Sequence, residues 1–484
     1  MQPPTTTTDL TRFRAALYAT GLGQRKDSLC DLLDAVLTAD GPATLARLSL
    51  APGFRRRWPS GADALADGTL HEDAVRALLV HTLVRPSFTA TPATATPALP
   101  TRAQLALGRP VWVTDGTTWP RPEAKTSPER TWGRRVTAGQ PQDGVVPGWE
   151  YQWLVAIPEA QGSWVLPLDV ARRSPTAGTP TDLALTQLRR VLAYYPAAAD
   201  PAEPPWPVVA FDSSYDPVGF VRAHQDGWLT ADTLSRLAAH RVFYRRPPPY
   251  SGRGAPRKHG PVFRFKDPTT HGPPDHQTQW TDPERGAMTV AVWTRLHPQK
   301  APDAPFTVVR ITLERLPRRD TPPQPLWLAW TGATLPDDLT LFWTWYGRRF
   351  PVEHGFRFAK QGLGWTTVRP RDPQAADRWT WLLVLAFWQL WLARPFVADR
   401  RLPWERPVAP VALSPGRVRR ALGRLLARVG TPARAATPRG KSPGRRPGQR
   451  PTPHPRCAVV RRHPKPAKPR RRKRPGRHPL ATTR

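Results

Sequence analysis

The spacing of apolar residues divides the chain into a helical beginning and a strand-rich continuation. Up to about residue 85, apolar side chains recur every three to four positions, as at Leu29, Leu32, Leu33 and Val36, which predicts amphipathic helices. A stretch rich in Pro, Thr and Ala follows from 86 to 100 and is typical of a linker. Residues 1–100 therefore predict a helical region followed by a linker.

Beyond the linker the pattern changes to short apolar runs typical of β-strands. Strands are predicted at Val111–Asp115, Trp149–Ile157, Ser163–Val170, Pro207–Asp212 and Arg241–Tyr244, and helices at Thr181–Tyr195, Asp216–His224 and Thr230–Ala239. This is the element order of the ribonuclease-H-like fold. Two of these strands end in Asp, and α/β sheets place their chemistry at strand C-termini because the adjoining loops open a crevice there. Residues 101–245 therefore predict the first part of an α/β, ribonuclease-H-like core.

The remainder of the chain predicts three further regions. Residues 246–335 are rich in Pro and Gly and carry β-like runs, which predicts a β-rich insertion domain. Residues 336–405 predict the helical second part of the core. Residues 406–484 predict one basic amphipathic helix, Arg417–Val429, and then a Pro/Arg-rich tail with too few apolar residues for a core, which we expect to be disordered.

One apolar run in the second part of the core could be mistaken for a membrane-spanning helix. Trp379–Ala393 is 15 residues long and contains Gln389. A bilayer needs about 20 apolar residues, so a buried helix is the better interpretation, and no membrane association is expected. The N-terminus also lacks the basic and apolar regions of a signal peptide.

Charge narrows the class of partner. Lys and Arg number 72 against 37 acidic residues, for a formal net charge of +35, and 24 of the basic residues lie in 406–484 without an acidic one. Such a surplus indicates a polyanionic partner, most often nucleic acid. The N-terminal helices could then form a DNA-binding module, and a packing subdomain is an equal alternative. The two cysteines, Cys30 and Cys457, exclude a disulfide framework and suit a reducing cytoplasm.

The segment from Tyr346 to Lys360 is the most informative motif. On a single helix Tyr346, Arg349, Glu353 and Lys360 would share one face about 60° wide. A carboxylate beside two cations and a phenol suits the binding of a phosphate next to a metal ion. Two alternatives remain: Arg349 and Glu353 could form an ordinary surface pair, and Pro351 could begin the helix, which would leave Tyr346 and Arg349 in the preceding turn.

This spacing, Y-x2-R-x3-E-x6-K, resembles the signature of the insertion-sequence-four superfamily of bacterial DDE transposases. The texts "FRFAKQGLGW", "VPGWEYQWLVAI" and "GRGAPRKHG" resemble its seven-hundred-and-one branch. The resemblance extends from about residue 10 to 450. It implies that Asp115, Asp212 and Glu353 are catalytic and hold two Mg²⁺ ions, for which Mn²⁺ can substitute.

The resemblance also implies roles in binding DNA. Tyr346, Arg349 and Lys360 would hold a phosphate at the transposon end, and Trp327, in "WLAWTG", would stack on a flipped base. Each of these residues has a plainer alternative. Trp327 is one of 21 Trp and could simply pack in the core. Asp115 and Asp212 could be turn residues, and Asp216, near Asp212, is better explained as a helix cap than as a metal ligand.

The function implied is that of a DNA transposase acting by cut and paste in the bacterial cytoplasm, associated with the nucleoid. Its partners would be double-stranded DNA, both the terminal inverted repeats of its own insertion sequence and the target, and a second copy in a homodimer. Rival hypotheses are a catalytically silent, transposase-derived repressor and another nuclease of the same fold. A tyrosine recombinase using Tyr346 is disfavoured because the sequence offers no recognisable Arg/His set around it.

Overall fold

One ten-stranded mixed sheet forms the centre of the computed structural model. The residues it describes are 8–84, 109–135, 144–195, 206–252, 254–317, 323–437, 444, 446–450 and 453–462. The linker predicted at 86–100 and the part of the predicted tail beyond 462 lie outside these residues.

The strands of the described chain alternate between local hairpins and long-range pairings. They are β1 (Val111–Pro120), β2 (Thr131–Arg135), β3 (Gly144–Ile157), β4 (Leu166–Arg172), β5 (Val208–Phe211), β6 (Asp232–Leu237), β7 (Val242–Tyr244), β8 (Val262–Arg264), β9 (His276–Asp282), β10 (Gly286–Leu296), β11 (Phe306–Leu313) and β12 (Leu326–Trp330). The sheet order is β2-β3-β1-β5-β6-β12-β11-β10-β9, with β4 also paired to β3. Strands β7 and β8 form a separate pair.

Five of these strands have the arrangement expected of a ribonuclease-H-like core. Strand β3 pairs antiparallel with both β1 and β4, whereas β5 pairs parallel with β1 and β6 pairs parallel with β5. The long parallel connections carry helices, as parallel pairing requires. The mixed α/β class and the large sheet are thus consistent with the predicted fold.

The prediction of a helix at Thr230–Ala239 is wrong, because this segment contains β6. Leucine, alanine and arginine favour a helix there. In the fold the strand lies between β5 and β12, so most of its residues are buried whichever way they point. Burial on both faces removes the alternation that identifies a strand in sequence. The predicted strand at Arg241–Tyr244 exists as β7, but it pairs with β8 and not with the core sheet.

Most of the β-runs predicted in 246–335 continue the central sheet, but the run that forms β8 pairs with β7 instead. Strand β12 pairs antiparallel with β6, and β11, β10 and β9 follow in turn. The pairing of β12 with β6 makes one continuous sheet out of core and insertion strands. The domain boundaries given above remain a prediction.

The helices cover the sheet and one another. They are α1 (Thr8–Ala16), α2 (Lys26–Thr38), α3 (Leu45–Leu48), α4 (Pro59–Asp67), α5 (Glu72–Val84), α6 (Pro180–Leu192), α7 (Pro217–Gln225), α8 (Leu341–Gly347), α9 (Pro351–Arg357), α10 (Pro373–Ala393) and α11 (Pro415–Val429). Helix α10 is buried along almost its whole length. Among the described residues, no helix has the length and apolar character needed to cross a membrane.

The N-terminal helices pack onto α10 and share one continuous hydrophobic core with the sheet. Buried charges reinforce this attachment. Arg14 donates to Asp34 on α2 at 2.7 Å and 2.9 Å and to the Gly430 carbonyl after α11 at 3.2 Å, and it also contacts Gln389 of α10. This packing agrees with the packing-subdomain alternative, and a DNA-binding role for these helices remains a prediction.

Removing the carboxylate that pairs with Arg14 is expected to destabilise the protein strongly. The Arg14 and Asp34 side chains are 4% and 8% exposed, so Asp34→Ala leaves a buried charge without its carboxylate, at a cost of about 3 to 5 kcal/mol. Chemical denaturation measures the change. Asp9→Ala removes the exposed partner of Arg12 and should cost about 1 kcal/mol or less. Equal losses in the two variants would contradict this assignment.

Candidate active site

The first two candidate carboxylates lie side by side just beyond the parallel pairing of β1 with β5. Asp212 follows the end of β5, as predicted, whereas Asp115 lies within β1, which continues to Pro120 and does not end at the carboxylate. The pairing of β1 with β5 places Val113 opposite Ala210. Asp115 and Asp212 each follow two positions later, and side chains two apart on a strand point to the same face. Both residues line a single cleft of 1080 Å³. The sheet register therefore brings together two residues that are far apart in sequence.

The loop after β5 orients Asp212. The Asp212 Oδ1 atom accepts hydrogen bonds from the Ser214 backbone N–H at 2.9 Å and from the Ser214 hydroxyl at 2.6 Å. Asp216 instead accepts from the Val218 N–H at 3.2 Å and caps α7. The prediction that Asp216 is a helix cap is confirmed.

The motif that contains Glu353 is divided between two helices. Tyr346 lies near the end of α8, Arg349 lies between α8 and α9, and Pro351 is the first residue of α9. Lys360 follows in a π-helical turn, Phe358–Gly362. The structure thus has the alternative in which proline begins the helix, and the single-helix geometry does not apply.

Close packing fixes α9 against the sheet. A Cβ atom on Gly355 would lie 2.6 Å from Val165 Cγ2, so only glycine allows this approach. On the next position, the Phe356 ring meets Trp153 of β3 edge-on, with 6.0 Å between the ring centroids. These contacts hold the helix that carries Glu353 beside the end of β1.

Arg349 connects the motif to the strand carboxylates. Its Nη1 donates to Asp115 Oδ2 at 2.6 Å, and its Nη2 lies 3.8 Å from Glu353 Oε1. The side chain of Asp115 is 16% exposed and that of Glu353 is 51% exposed. Glu353 therefore reaches the strand carboxylates through Arg349 and remains largely open to solvent.

Burial dominates the electrostatics of Asp115. Desolvation raises the pKa of its carboxyl to about 6; Arg349 works against this rise, whereas the negative charges of Asp212 and Glu353 add to it. The charge of Arg349 does not fully offset the lost hydration of Asp115 and the negative charges beside it. The site is therefore one in which a further cation would stabilise the ionised carboxylate.

Of the other two motif residues, Lys360 lines the cleft and Tyr346 lies near it. Lys360 donates to the Thr117 hydroxyl at 2.7 Å and lines the cleft, and burial lowers its pKa. Tyr346 is half-buried, and its pKa is raised by burial and, more weakly, by Asp212. The structure therefore brings Tyr346, Arg349 and Lys360 into the neighbourhood of the carboxylates.

Trp327 lies elsewhere. It is 3% exposed and stacks on Phe265 with 4.0 Å between the ring centroids, in a second core formed by the insertion strands. A base could reach this ring only if the side chain left that core. This placement matches the core-packing alternative.

Sequence reasoning missed several residues of the cleft. Glu150 of β3, Arg173 after β4 and Arg462 near the C-terminus all line it. Arg462 contacts Glu150 across 312 positions of sequence, and Arg173 lies 3.5 Å from Glu150. Glu150 lies in the quoted text "VPGWEYQWLVAI". Polar and aromatic residues alternate there as they do in any strand, so the pattern does not single out Glu150. Nothing in the local sequence signals the contact with Arg462.

The donor atoms of the cleft suit a hard divalent cation, because they are carboxylate oxygens. The described residues contain no group of three or more His, Cys, Asp or Glu side chains arranged to hold a metal ion. Three carboxylates, Asp115, Asp212 and Glu150, line the cleft, while Glu353 is turned toward Arg349. In their chemistry Asp115 and Asp212 fit a metal ion, and the participation of Glu353 remains a prediction.

The family of the chain follows from comparison with known proteins. The family described as DDE superfamily endonuclease matches residues 17–298, more than half of the chain. The protein belongs to this family of nucleases, whose members typically use divalent metals. The match includes Asp115 and Asp212 but ends before Glu353.

Other comparisons add little. No curated protein matches the chain. One solved structure similar to it is the cryo-EM structure of the piggyBac transposase synaptic complex with hairpin DNA, at 9% identity and a TM-score of 0.37. That similarity covers 88% of this chain and 80% of the other. Membership of the insertion-sequence-four superfamily remains a prediction.

The raised pKa of Asp115 predicts a pH-dependent stability in metal-free protein. Between the ordinary carboxyl pKa of 3.8 and about 6 the folded state retains a proton that the unfolded state has lost. As the pH rises through this window, the free energy of unfolding of the wild type, relative to that of Asp115→Asn, therefore falls by up to about 3 kcal/mol. Above this window the difference between the two proteins no longer changes. Denaturation of both proteins in a chelator across this range measures the difference. A difference independent of pH would show that Asp115 titrates normally.

Proposed function

We propose that this endonuclease-family protein is a DNA transposase. It binds the terminal inverted repeats of its own insertion sequence and cleaves them at the cleft lined by Asp115 and Asp212, with Glu353 beside them. The freed 3′-hydroxyl then attacks a phosphodiester of the target DNA, which completes cut-and-paste transposition. The observation that carries the proposal is the convergence of the Tyr-Arg-Glu-Lys motif on Asp115 and Asp212, the two carboxylates beside the parallel pairing of β1 and β5.

Asp115, Asp212 and Glu353 are proposed to hold two Mg²⁺ ions, with Mn²⁺ as a substitute. Bound metal ions of this kind activate the attacking oxygen and stabilise the leaving one. The rise in the pKa of Asp115, caused by burial and by the neighbouring carboxylates, supports this assignment because added positive charge would relieve it. The role of the protein is to hold the carboxylates close together in a cleft open to a strand of DNA.

Arg349, Lys360 and Tyr346 are proposed to bind the phosphate at the cut. Arg349 can form two parallel hydrogen bonds to a phosphate, whereas Lys360 offers a point charge. Arg349 is bonded to Asp115, so binding of DNA and metal must transfer its guanidinium from the carboxylate to the phosphate. That transfer would leave both Asp115 and Glu353 free to act as ligands.

The wider surroundings of the site follow from the same proposal. A synaptic complex holds two transposon ends, and a homodimer with one active site for each end is the simplest arrangement. The basic C-terminal region supplies affinity for DNA of any sequence, and such affinity falls steeply with salt. Base stacking by Trp327 would require the side chain to leave its core and has no support from its packing.

Neutralising one carboxylate tests the proposal. Asp212→Asn should lower metal-dependent cleavage of DNA carrying the transposon ends by about 1000-fold or more, because the amide cannot replace an anionic ligand. Binding of the same DNA at low salt should remain. A nicking assay with Mg²⁺ measures cleavage, and electrophoretic mobility shift measures binding.

Asp216→Asn is the matched control, since it makes the same change four residues away. Asparagine caps helices as well as aspartate does, so this variant should cleave like the wild type. Undiminished cleavage by Asp212→Asn would refute the assignment of the site. End binding without cleavage by the wild type in Mg²⁺ or Mn²⁺ would instead indicate a transposase-derived repressor.

A further inference from the structure

The described chain ends inside the cleft. After the last helix, residues 457–462 (the docked segment) run along the edge of the central sheet. The Cys457 N–H donates to the Lys125 carbonyl at 2.8 Å, and the Val460 N–H donates to the Arg130 carbonyl at 2.7 Å. Val460 forms a parallel bridge with Thr131, the first residue of β2. The segment therefore extends the sheet beyond its edge strand.

Two arginines hold the docked segment by hydrogen bonds, one at each end. Arg130 Nη2 donates to the Cys457 carbonyl at 2.9 Å. At the other end Arg462 contacts the carboxylate of Glu150 and donates to the Arg173 carbonyl at 2.6 Å. The Arg462 side chain is 9% exposed. A long charged side chain held in this way loses much rotamer freedom, and its buried pairing marks a specific attachment.

The docked segment lines the cleft without filling it. Val460, Arg461 and Arg462 share the lining with Asp115, Asp212 and Lys360, and the cleft still measures 1080 Å³. Attachment along the outer edge of β2 places the segment at the side of the opening. It can therefore stay in place when a strand of DNA enters.

The charges of the cleft favour an anionic polymer. Five cations face it: Arg134, Arg173, Lys360, Arg461 and Arg462. The three carboxylates are Asp115, Asp212 and Glu150. Glu150 would repel a phosphate if left alone, but Arg462 and Arg173 both lie against it. Arg461 is exposed at the same wall.

We propose that the docked segment is a wall of the DNA-binding cleft, in which Glu150 anchors Arg462 and Arg461 binds a phosphate of the entering strand. This inference rests on the proposed function and extends it to a part of the chain outside the matched family region and outside the Tyr-Arg-Glu-Lys motif. It also places the last described residues of the basic C-terminal region, Val460 to Arg462, at the active-site cleft.

Two truncations separate the docked segment from the residues that follow it. A stop codon after residue 462 keeps the segment, and one after residue 456 removes it. Binding of a short fluorescein-labelled DNA duplex with a single-stranded extension is measured by anisotropy, without divalent metal, between about 50 and 200 mM salt. We expect the shorter protein to bind several-fold more weakly than the longer one.

Single substitutions identify the contact. In the full chain, Arg461→Ala should weaken binding several-fold and reduce the slope of log K against log salt by about 0.9, the value for one phosphate contact. Arg450→Ala is the matched control, because Arg450 is exposed in the same basic region but does not line the cleft. Hydrogen exchange should show faster exchange of the Val460 amide in Glu150→Gln, as the segment loses its anchor.

The outcomes distinguish this inference from the proposed function. Equal binding by the two truncated proteins, or equal effects of Arg461→Ala and Arg450→Ala, would overturn the inference while leaving a DNA-binding enzyme. Tighter binding or faster cleavage after removal of the segment would also overturn it, because the segment would then obstruct the cleft. Failure of the full wild-type chain to bind DNA at all would instead defeat the proposed function.

Discussion

The packing of helix α10 is the interaction on which the rest of the structure depends. From Trp379 to Ala393 every residue of the helix is buried, so this part of it must be enclosed on all sides. Strand β4 covers one side, and α1, α2, α4 and α11 cover the others. Parts of the chain from the first described helix to the last are thereby joined in one hydrophobic core. The sheet that carries Asp115 and Asp212 packs against this helix through β4 and shares the same core.

The features that could be predicted from the sequence are those that depend on neighbouring residues. Asp115 and Asp212 were recognisable because each follows a short apolar run, and Glu353 because of its spacing from neighbouring polar residues. Strand β6 was missed because its position in the sheet overrides its helical composition. The sequence alone does not decide whether Pro351 begins a helix or interrupts one, because a proline can do either. The docked segment could not be predicted from the sequence, because its contacts join residues 289 or more positions apart.

Charge in the cleft is balanced by side chains from distant elements. Arg349, from the segment between two helices, pairs with a carboxylate on β1. Arg462, from the end of the described chain, pairs with one on β3. Burying a carboxylate costs free energy unless it is paired. Each of these arginines therefore reduces the free-energy cost of its partner carboxylate in the folded protein. An exchange of partners at Arg349 therefore has consequences for stability as well as for chemistry.

The number of residues between Glu150 and Arg462 also determines how long one waits for the other during synthesis of the chain. Ribosomes add about 5–20 residues per second, and the two residues are 312 positions apart. Roughly 15 to 60 s therefore pass between the synthesis of the glutamate and that of its arginine partner. Asp212 and then the helix that carries Glu353 are both made within that interval, whereas Arg462 comes last. The lining of the cleft is therefore completed only after every carboxylate discussed here has been synthesised.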